Sequence, residues 1–260
     1  MNTDTRFNND GWDVRARLGV VVPHADVGPE SELNAMAPAG LSVHASRLHF
    51  SAMRAGGEMD PTIPHDPVRA FVEPPGVDEC VEALAAAPLD VLACAFTSSA
   101  YKHGVEGERE FLARLDKSSR GIPVISTALA AVDALRACGV ERLALVNPPW
   151  FDTELDELGA RYFSEQGFRV VHHAPCGIPS GQRHATPPVM FDWVRGLPRE
   201  VDGVFIAGNG LRAVGTIAPL EEELGVPVLS ANQVLLWRAL TTVGLDPAEV
   251  RGYGRLFARE

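Results

Sequence analysis

Arg17-Leu18-Gly19-Val20-Val21-Val22-Pro23 returns later in the chain as Arg142-Leu143-Ala144-Leu145-Val146-Asn147-Pro148. Asp90-Val91-Leu92-Ala93-Cys94-Ala95-Phe96-Thr97 returns as Asp202-Gly203-Val204-Phe205-Ile206-Ala207-Gly208-Asn209. Gly121-Ile122-Pro123-Val124-Ile125-Ser126 returns as Gly225-Val226-Pro227-Val228-Leu229-Ser230. Each stretch carries a short aliphatic run bounded by Gly, Pro or Asp, which is how a parallel strand buried on both faces reads. Buried strands resemble one another by composition alone. Three matches in the same order with the same flanking residues, however, read as a duplication.

The strands so predicted are Leu18–Pro23, Val91–Phe96, Val124–Ser126, Leu143–Val146, Val204–Ala207 and Val228–Ser230. Amphipathic stretches lie between them, at Val77–Ala86, Glu108–Leu115, Ala128–Cys138, Thr153–Gln166, Pro187–Arg195, Ile217–Leu224 and Asn232–Val243. Strand and helix alternating at this spacing predict an α/β fold of two pseudo-symmetric Rossmann-like lobes with parallel sheets and a cleft between them. The first lobe is expected to span residues 17–120 plus 231–260, the second 121–230, with 1–16 as a flexible tail. Residues 54–75 are rich in Gly and Pro and lack periodicity. A loop of that length is either a functional segment or a surface excursion.

The 260 residues carry 23 Lys and Arg against 34 Asp and Glu, a net charge of −11 with no basic block. That argues against nucleic acid and anionic membrane surfaces as partners. No apolar run approaches the length of a membrane span, and the polar first residues do not read as a secretory signal. Four scattered cysteines without a CxxC pair read as free thiols in a reducing compartment, so the expected location is cytoplasmic. The histidines form no HxH or HExxH pattern, so no metal is expected.

In parallel α/β sheets, ligands sit beyond the carboxyl ends of the strands. Four such ends would face one cleft here: Pro23-His24-Ala25-Asp26, Phe96-Thr97-Ser98-Ser99, Asn147-Pro148-Pro149-Trp150 and Gly208-Asn209-Gly210-Leu211-Arg212. Hydroxyls at Thr97 and Ser98, facing a glycine turn whose N–H groups are open, suit a carboxylate or oxyanion. The same residues also fit plain helix capping and a tight turn. His24 is the expected acid–base group, because imidazole titrates near neutrality; Asp26 would orient it or act itself. Asn209 offers an amide to an oxyanion, and Arg212 a guanidinium to a carboxylate. Phe96, Trp150 and Phe151 point to an organic group larger than aspartate. Cys94, Cys80 and Cys138 read as packing, and Cys176 as a weak thiol candidate.

From Leu18 to Phe257 the chain resembles the Asp/Glu racemase superfamily, in the branch of arylmalonate decarboxylase and maleate cis-trans isomerase. The resemblance rests on Val22-Pro23, Thr97-Ser98, Gly208-Asn209-Gly210-Leu211-Arg212, Ser230-Ala231-Asn232-Gln233 with Trp237, and Gly252-Tyr253-Gly254-Arg255-Leu256-Phe257. It implies cofactor-free chemistry beside a carboxylate. The strand ends themselves offer Phe96, Thr97, Ser98, Trp150, Gly208, Gly210, Leu211 and Arg212 for substrate binding, and His24, Asp26 and Asn209 for catalysis in place of thiols. The resemblance also implies that the family's two thiols belong at Phe96 and Gly208, that the decarboxylases' tyrosine falls in Pro149-Trp150-Phe151, and that the isomerases' asparagine falls at Asp26. The function implied is a lyase or isomerase, most like a decarboxylase, acting on a small carboxylate through a carbanion or enediolate. Two alternatives stay open: a hydrolase or hydratase in which His24 or Asp26 activates water, and a non-catalytic carboxylate-binding protein. A homodimer is a possible assembly.

Overall fold

Asp90 and Asp202, which open the second repeated stretch, do the same job in each half. Asp90 Oδ2 accepts from Arg17 N at 2.7 Å and its own N–H donates to Arg17 O at 2.9 Å. Asp202 repeats both contacts on Arg142, at 2.9 and 2.8 Å. The carbonyls of Pro123 and Pro227 likewise accept from Leu92 N and Val204 N, at 2.8 and 2.9 Å. These residues recur because each sets the register at which one buried strand enters its sheet.

The computed structural model describes residues 10–258. Its first sheet runs in the order β2 (Leu41–Leu48), β1 (Ala16–Pro23), β5 (Val91–Cys94), β6 (Val124–Ser126), all parallel. Its second runs β8 (Arg169–Pro175), β7 (Arg142–Asn147), β9 (Gly203–Ile206), β10 (Val228–Ser230), also parallel. The strand order is the same in both, as two copies of one unit require. The edge strands β2 and β8 escape the aliphatic-run criterion because they are only half covered. Most of their residues stay partly exposed, and Ser42, His44, Ser46 and Arg47 in one and Arg169, His172 and His173 in the other break the aliphatic run.

The helices follow the predicted stretches within a residue or two, at α3 (Gly76–Ala85), α5 (Thr127–Ala137), α6 (Thr153–Glu165), α7 (Pro187–Val194), α8 (Ile217–Leu224) and α9 (Ala231–Thr242). The helix expected at Glu108–Leu115 starts earlier, as α4 (Ser98–Leu115), with its break at Gly104. Two helices were not anticipated, α1 (Gly28–Met36) and α2 (His65–Ala70).

The lobe boundaries need correcting. β6 pairs with β5, so residues 124–126 complete the first sheet although they lie past the expected break at 120. The helices α5 and α9, which follow the last strands of the two sheets, pack against each other. α9 also lies on α1, β5 and β10. Of the expected tail, residues 1–9 lie outside the described residues. The rest is tied down: Arg15 N donates to Gly40 O at 2.7 Å, Arg15 pairs with Glu249, and Ala16 already belongs to β1. No helix among the described residues is long and apolar enough to cross a membrane.

Candidate active site

The carboxyl ends of β1, β5, β7 and β9 converge on one small cavity of about 60 Å³. Pro23 and Asp26, Phe96 to Ser98, Pro148 with Trp150 and Phe151, and Gly208 to Gly210 all line it. Its lid comes from the segment 54–75 and the residues before it. Met53 and Met59 sit in a short antiparallel hairpin, β3 (Met53–Arg54) and β4 (Glu58–Met59), and Ile63 follows. Ile63 N donates to Trp150 O at 2.9 Å, so the lid is stitched to the other lobe.

A second stitch lies beyond it. His65 Nε2 meets Asp152 Oδ2 at 2.8 Å, while Lys102 Nζ reaches His65 Nδ1 at 2.7 Å and Glu154 Oε1 at 2.8 Å. An ammonium can only donate, so Nδ1 accepts and Nε2–H donates to Asp152. Burial works to raise the Asp152 carboxyl, but the hydrogen bonds from Leu155 N and His65 outweigh it and hold the group below its ordinary range. His65→Ala is expected to loosen the lid by about 1 kcal/mol, giving roughly fivefold faster proteolytic cleavage within 55–64. Equal cleavage rates in variant and wild type would mean that His65 does not latch the lid.

Inside the cavity the N–H groups are open. Those of Thr97, Ser98, Asn209 and Gly210 have no acceptor among the described residues, and Ser98 opens helix α4, whose dipole adds to them. The Thr97 and Ser98 hydroxyls are likewise unpartnered, whereas Ser99 Oγ is committed to Val68 O at 2.8 Å. Both lobes therefore line one cavity with unpaired donors, the groups an oxyanion site uses.

Asp26 faces these donors. Its Oδ1 accepts from Gly28 N at 2.7 Å and from Gln182 Nε2 at 2.6 Å. Its Oδ2 has no partner among the described residues and lies beside Gly210, 3.0 Å from where a β-carbon on that glycine would stand. Burial pushes the carboxyl upward, against the opposing pull of the Gln182 and Gly28 hydrogen bonds. Gln182, which the sequence did not flag, separates this cavity from a wide vestibule of about 770 Å³.

The other expected site residues divide. His24 lines the vestibule, not the cavity. Its Nδ1 accepts from Phe50 N at 3.1 Å, its ring lies 4.7 Å from that of His49, and burial lowers its affinity for a proton. Arg212 is exposed on the same vestibule. Leu211 is buried and its N–H closes the turn onto Gly208 O. Asn209 is at the cavity, but its amide does not serve an oxyanion. Both Nδ2 protons are taken, by Asn232 Oδ1 at 2.8 Å and Thr127 Oγ1 at 3.2 Å. The residue contributes its backbone N–H, and its side chain positions that turn.

This positioning network crosses the lobes. Glu32 on α1 accepts from Ala213 N and Val214 N through Oε1, and from Asn232 Nδ2 through Oε2. Asn232 Nδ2 also donates to Asn209 O at 2.9 Å. Burial pushes the Glu32 carboxyl up to about 7.

No cysteine lines the cavity. Cys94 is fully buried within β5, and burial pushes the Cys138 and Cys176 thiols up to about 11 and about 12. Gly208 has φ of +86°, and a β-carbon there would lie 2.3 Å from Pro148 Cγ. Gly208→Ala is therefore expected to cost roughly 1–3 kcal/mol, read from urea unfolding, and Pro148→Ala in the same chain to recover the steric share. A Gly208→Ala protein as stable as wild type would contradict this geometry.

Two α/β lobes of the same strand order meet at a cavity lined by strand-end donors. The family model described as arylmalonate decarboxylase matches residues 18–257, and the chain belongs to that family. It is 28% identical over 251 residues to the maleate isomerase of Pseudomonas putida, covering 93% of this chain and 97% of that one. It is 28% identical over 146 residues to the arylmalonate decarboxylase of Bordetella bronchiseptica, covering 54% and 60%. The fold matches a Nocardia farcinica maleate cis-trans isomerase variant holding a covalently bound succinylcysteine intermediate, with a TM-score of 0.82 at 24% identity over 94% of this chain and 99% of that one.

Proposed function

We propose that this protein decarboxylates a small malonate-type dicarboxylate without a thiol and without a cofactor, with Asp26 as the proton-transferring group. One observation supports this above the rest: unpartnered donors from both lobes face a buried carboxyl in a cavity that no cysteine lines. The carbon–carbon bond to one carboxylate breaks and carbon dioxide leaves without the bonding pair. The pair stays on the remaining carbon and spreads into the second carboxylate as an enediolate. The N–H groups of Thr97, Ser98, Asn209 and Gly210 and the hydroxyls of Thr97 and Ser98 hold its oxygens. This charge grows as the reaction proceeds, so the donors bind the transition state more tightly than the substrate. The Asp26 Oδ2 proton passes to carbon, and solvent in the vestibule beyond Gln182 returns a proton to the carboxyl. His24 stands in that vestibule, on the return path.

The test is turnover of a malonate panel in deuterium oxide and in ¹⁸O-labelled water. Carbon dioxide release with one deuterium at the product carbon is the expected result. Water oxygen in the product would instead mean hydration or hydrolysis. Binding of the panel without turnover would mean a carboxylate-binding protein.

A further inference from the structure

The small cavity shares a single lining residue, Phe96, with a second chamber of about 290 Å³. That chamber is a solvent-open recess of the first lobe, between α4, the turn at Val72–Pro74 and the end of β6, with the exposed Glu73, Pro74, His103 and Glu110 at its rim. The Phe96 ring is wedged between its neighbours. Phe71 meets it edge-on at 4.9 Å, Phe111 lies tilted at 6.2 Å on the chamber side, and Phe71 in turn meets Phe50 of the cavity wall at 5.0 Å. The chamber is apolar next to Phe96, where Val72, Ala100 and Phe111 line it; toward solvent it is lined by Glu73, His103, Glu110 and Arg114, and the Glu108 carboxyl within it already accepts from the Ser126 and Tyr162 hydroxyls.

Size decides what each space can take. An apolar cavity of roughly 150 Å³ accepts a benzene ring. The reaction cavity falls well short of that and the chamber exceeds it. The way out past Gln182 leads to a vestibule lined by Arg47, Arg183 and Arg212. A polar or anionic substituent gains there. Aromatic side chains in the cavity wall thus fill space that a larger substrate group would need.

We propose that Phe96 sets substrate size: it shuts a ready-made aryl-sized subsite off from the reaction cavity and restricts the protein to carboxylates without an aromatic substituent. This rests on the function proposed above, in that the carboxylate binds at Thr97 and Ser98. Removing the ring joins the two spaces and converts the preference.

The experiment measures binding of propionate and phenylacetate by calorimetry, and turnover of methylmalonate and phenylmalonate, with folding checked by thermal unfolding. In Phe96→Ala the affinity ratio of phenylacetate to propionate is expected to rise at least about tenfold, the scale of discrimination that a fitted apolar pocket provides. Phe96→Leu shifts it the same way by less, and serves if the alanine variant does not fold. Adding Ala100→Leu to Phe96→Ala refills the chamber and reverses the gain, while Ala100→Leu alone leaves propionate binding unchanged. An unchanged ratio in a folded Phe96 variant, or a gain that Ala100→Leu does not reverse, would overturn the proposal. Thr97→Val separates the two readings. If it leaves propionate binding in the otherwise wild-type protein unaltered, the carboxylate site is misassigned. If it weakens propionate while the Phe96 ratio stays fixed, only the role of Phe96 falls.

Discussion

Asp26→Asn is expected to lower turnover by about two to four orders of magnitude, the range of positioned acid–base catalysis, while substrate still binds. The amide is nearly isosteric and can keep its carbonyl oxygen toward the Gly28 N–H and Gln182 Nε2, so the local hydrogen bonds survive. The proton that Oδ2 delivers is lost. Burial holds the Asp26 carboxyl above its usual value of 3.8, so the proton-bearing form persists to a higher pH than an exposed aspartate would allow. A donor acts only while protonated. The wild-type rate should therefore fall as pH rises through this raised pKa, and the residual rate of the variant should lack that step. A pH–rate profile checks both statements. A variant with full turnover would remove Asp26 from the chemistry.

Glu32→Ala is expected to destabilise the protein by about 3 kcal/mol, because it strands the N–H groups of Ala213 and Val214 and one amide of Asn232 in a buried position. That corresponds to roughly 10 °C in Tm for a chain of this size. Turnover should fall too, since Asn232 holds the Asn209 carbonyl and with it the glycine turn. The pH dependence has a definite sign. Raising this carboxyl from 4.5 to about 7 means that the folded state holds a proton which the unfolded state releases. The resulting stability is fully present below about 4.5 and is lost as pH rises toward about 7. Urea midpoints at pH 5 and pH 8 should therefore differ in the wild type, and this contribution should vanish in Glu32→Gln. If the variant keeps the same slope, another group is responsible.

What could be read from the chain follows from what each residue packs against. The inner strands announced themselves because both faces are covered, which demands unbroken aliphatic runs, and the clamps at Asp90 and Asp202 fixed matching flanks. β2 and β8 did not, because solvent reaches one side. α1 was hidden for a different reason. Its buried positions Pro29, Glu32, Leu33 and Met36 have helical spacing, yet one of them is a carboxylate, which interrupts the apolar stripe. The strand ends located the site, since polar residues replace aliphatic ones where the chain leaves the sheet. They did not give side-chain direction. His24 occupies a strand end but turns to Phe50 N, while Asp26, two residues on, enters the cavity. Gln182 reaches Asp26 from a loop in the other lobe, with no local pattern to reveal it.

The packing of α5 against α9 bears on ancestry. These helices follow equivalent strands, β6 and β10, in sheets of the same strand order. A half-length chain carrying one sheet and one such helix could pair with its own copy through that face, as a symmetric dimer does. The reaction cavity would then be lined by identical strand ends from both copies. Fusion of the two copies freed each side to diverge, so that one could keep hydroxyls at Thr97 and Ser98 while the other became the glycine turn at Gly208–Gly210.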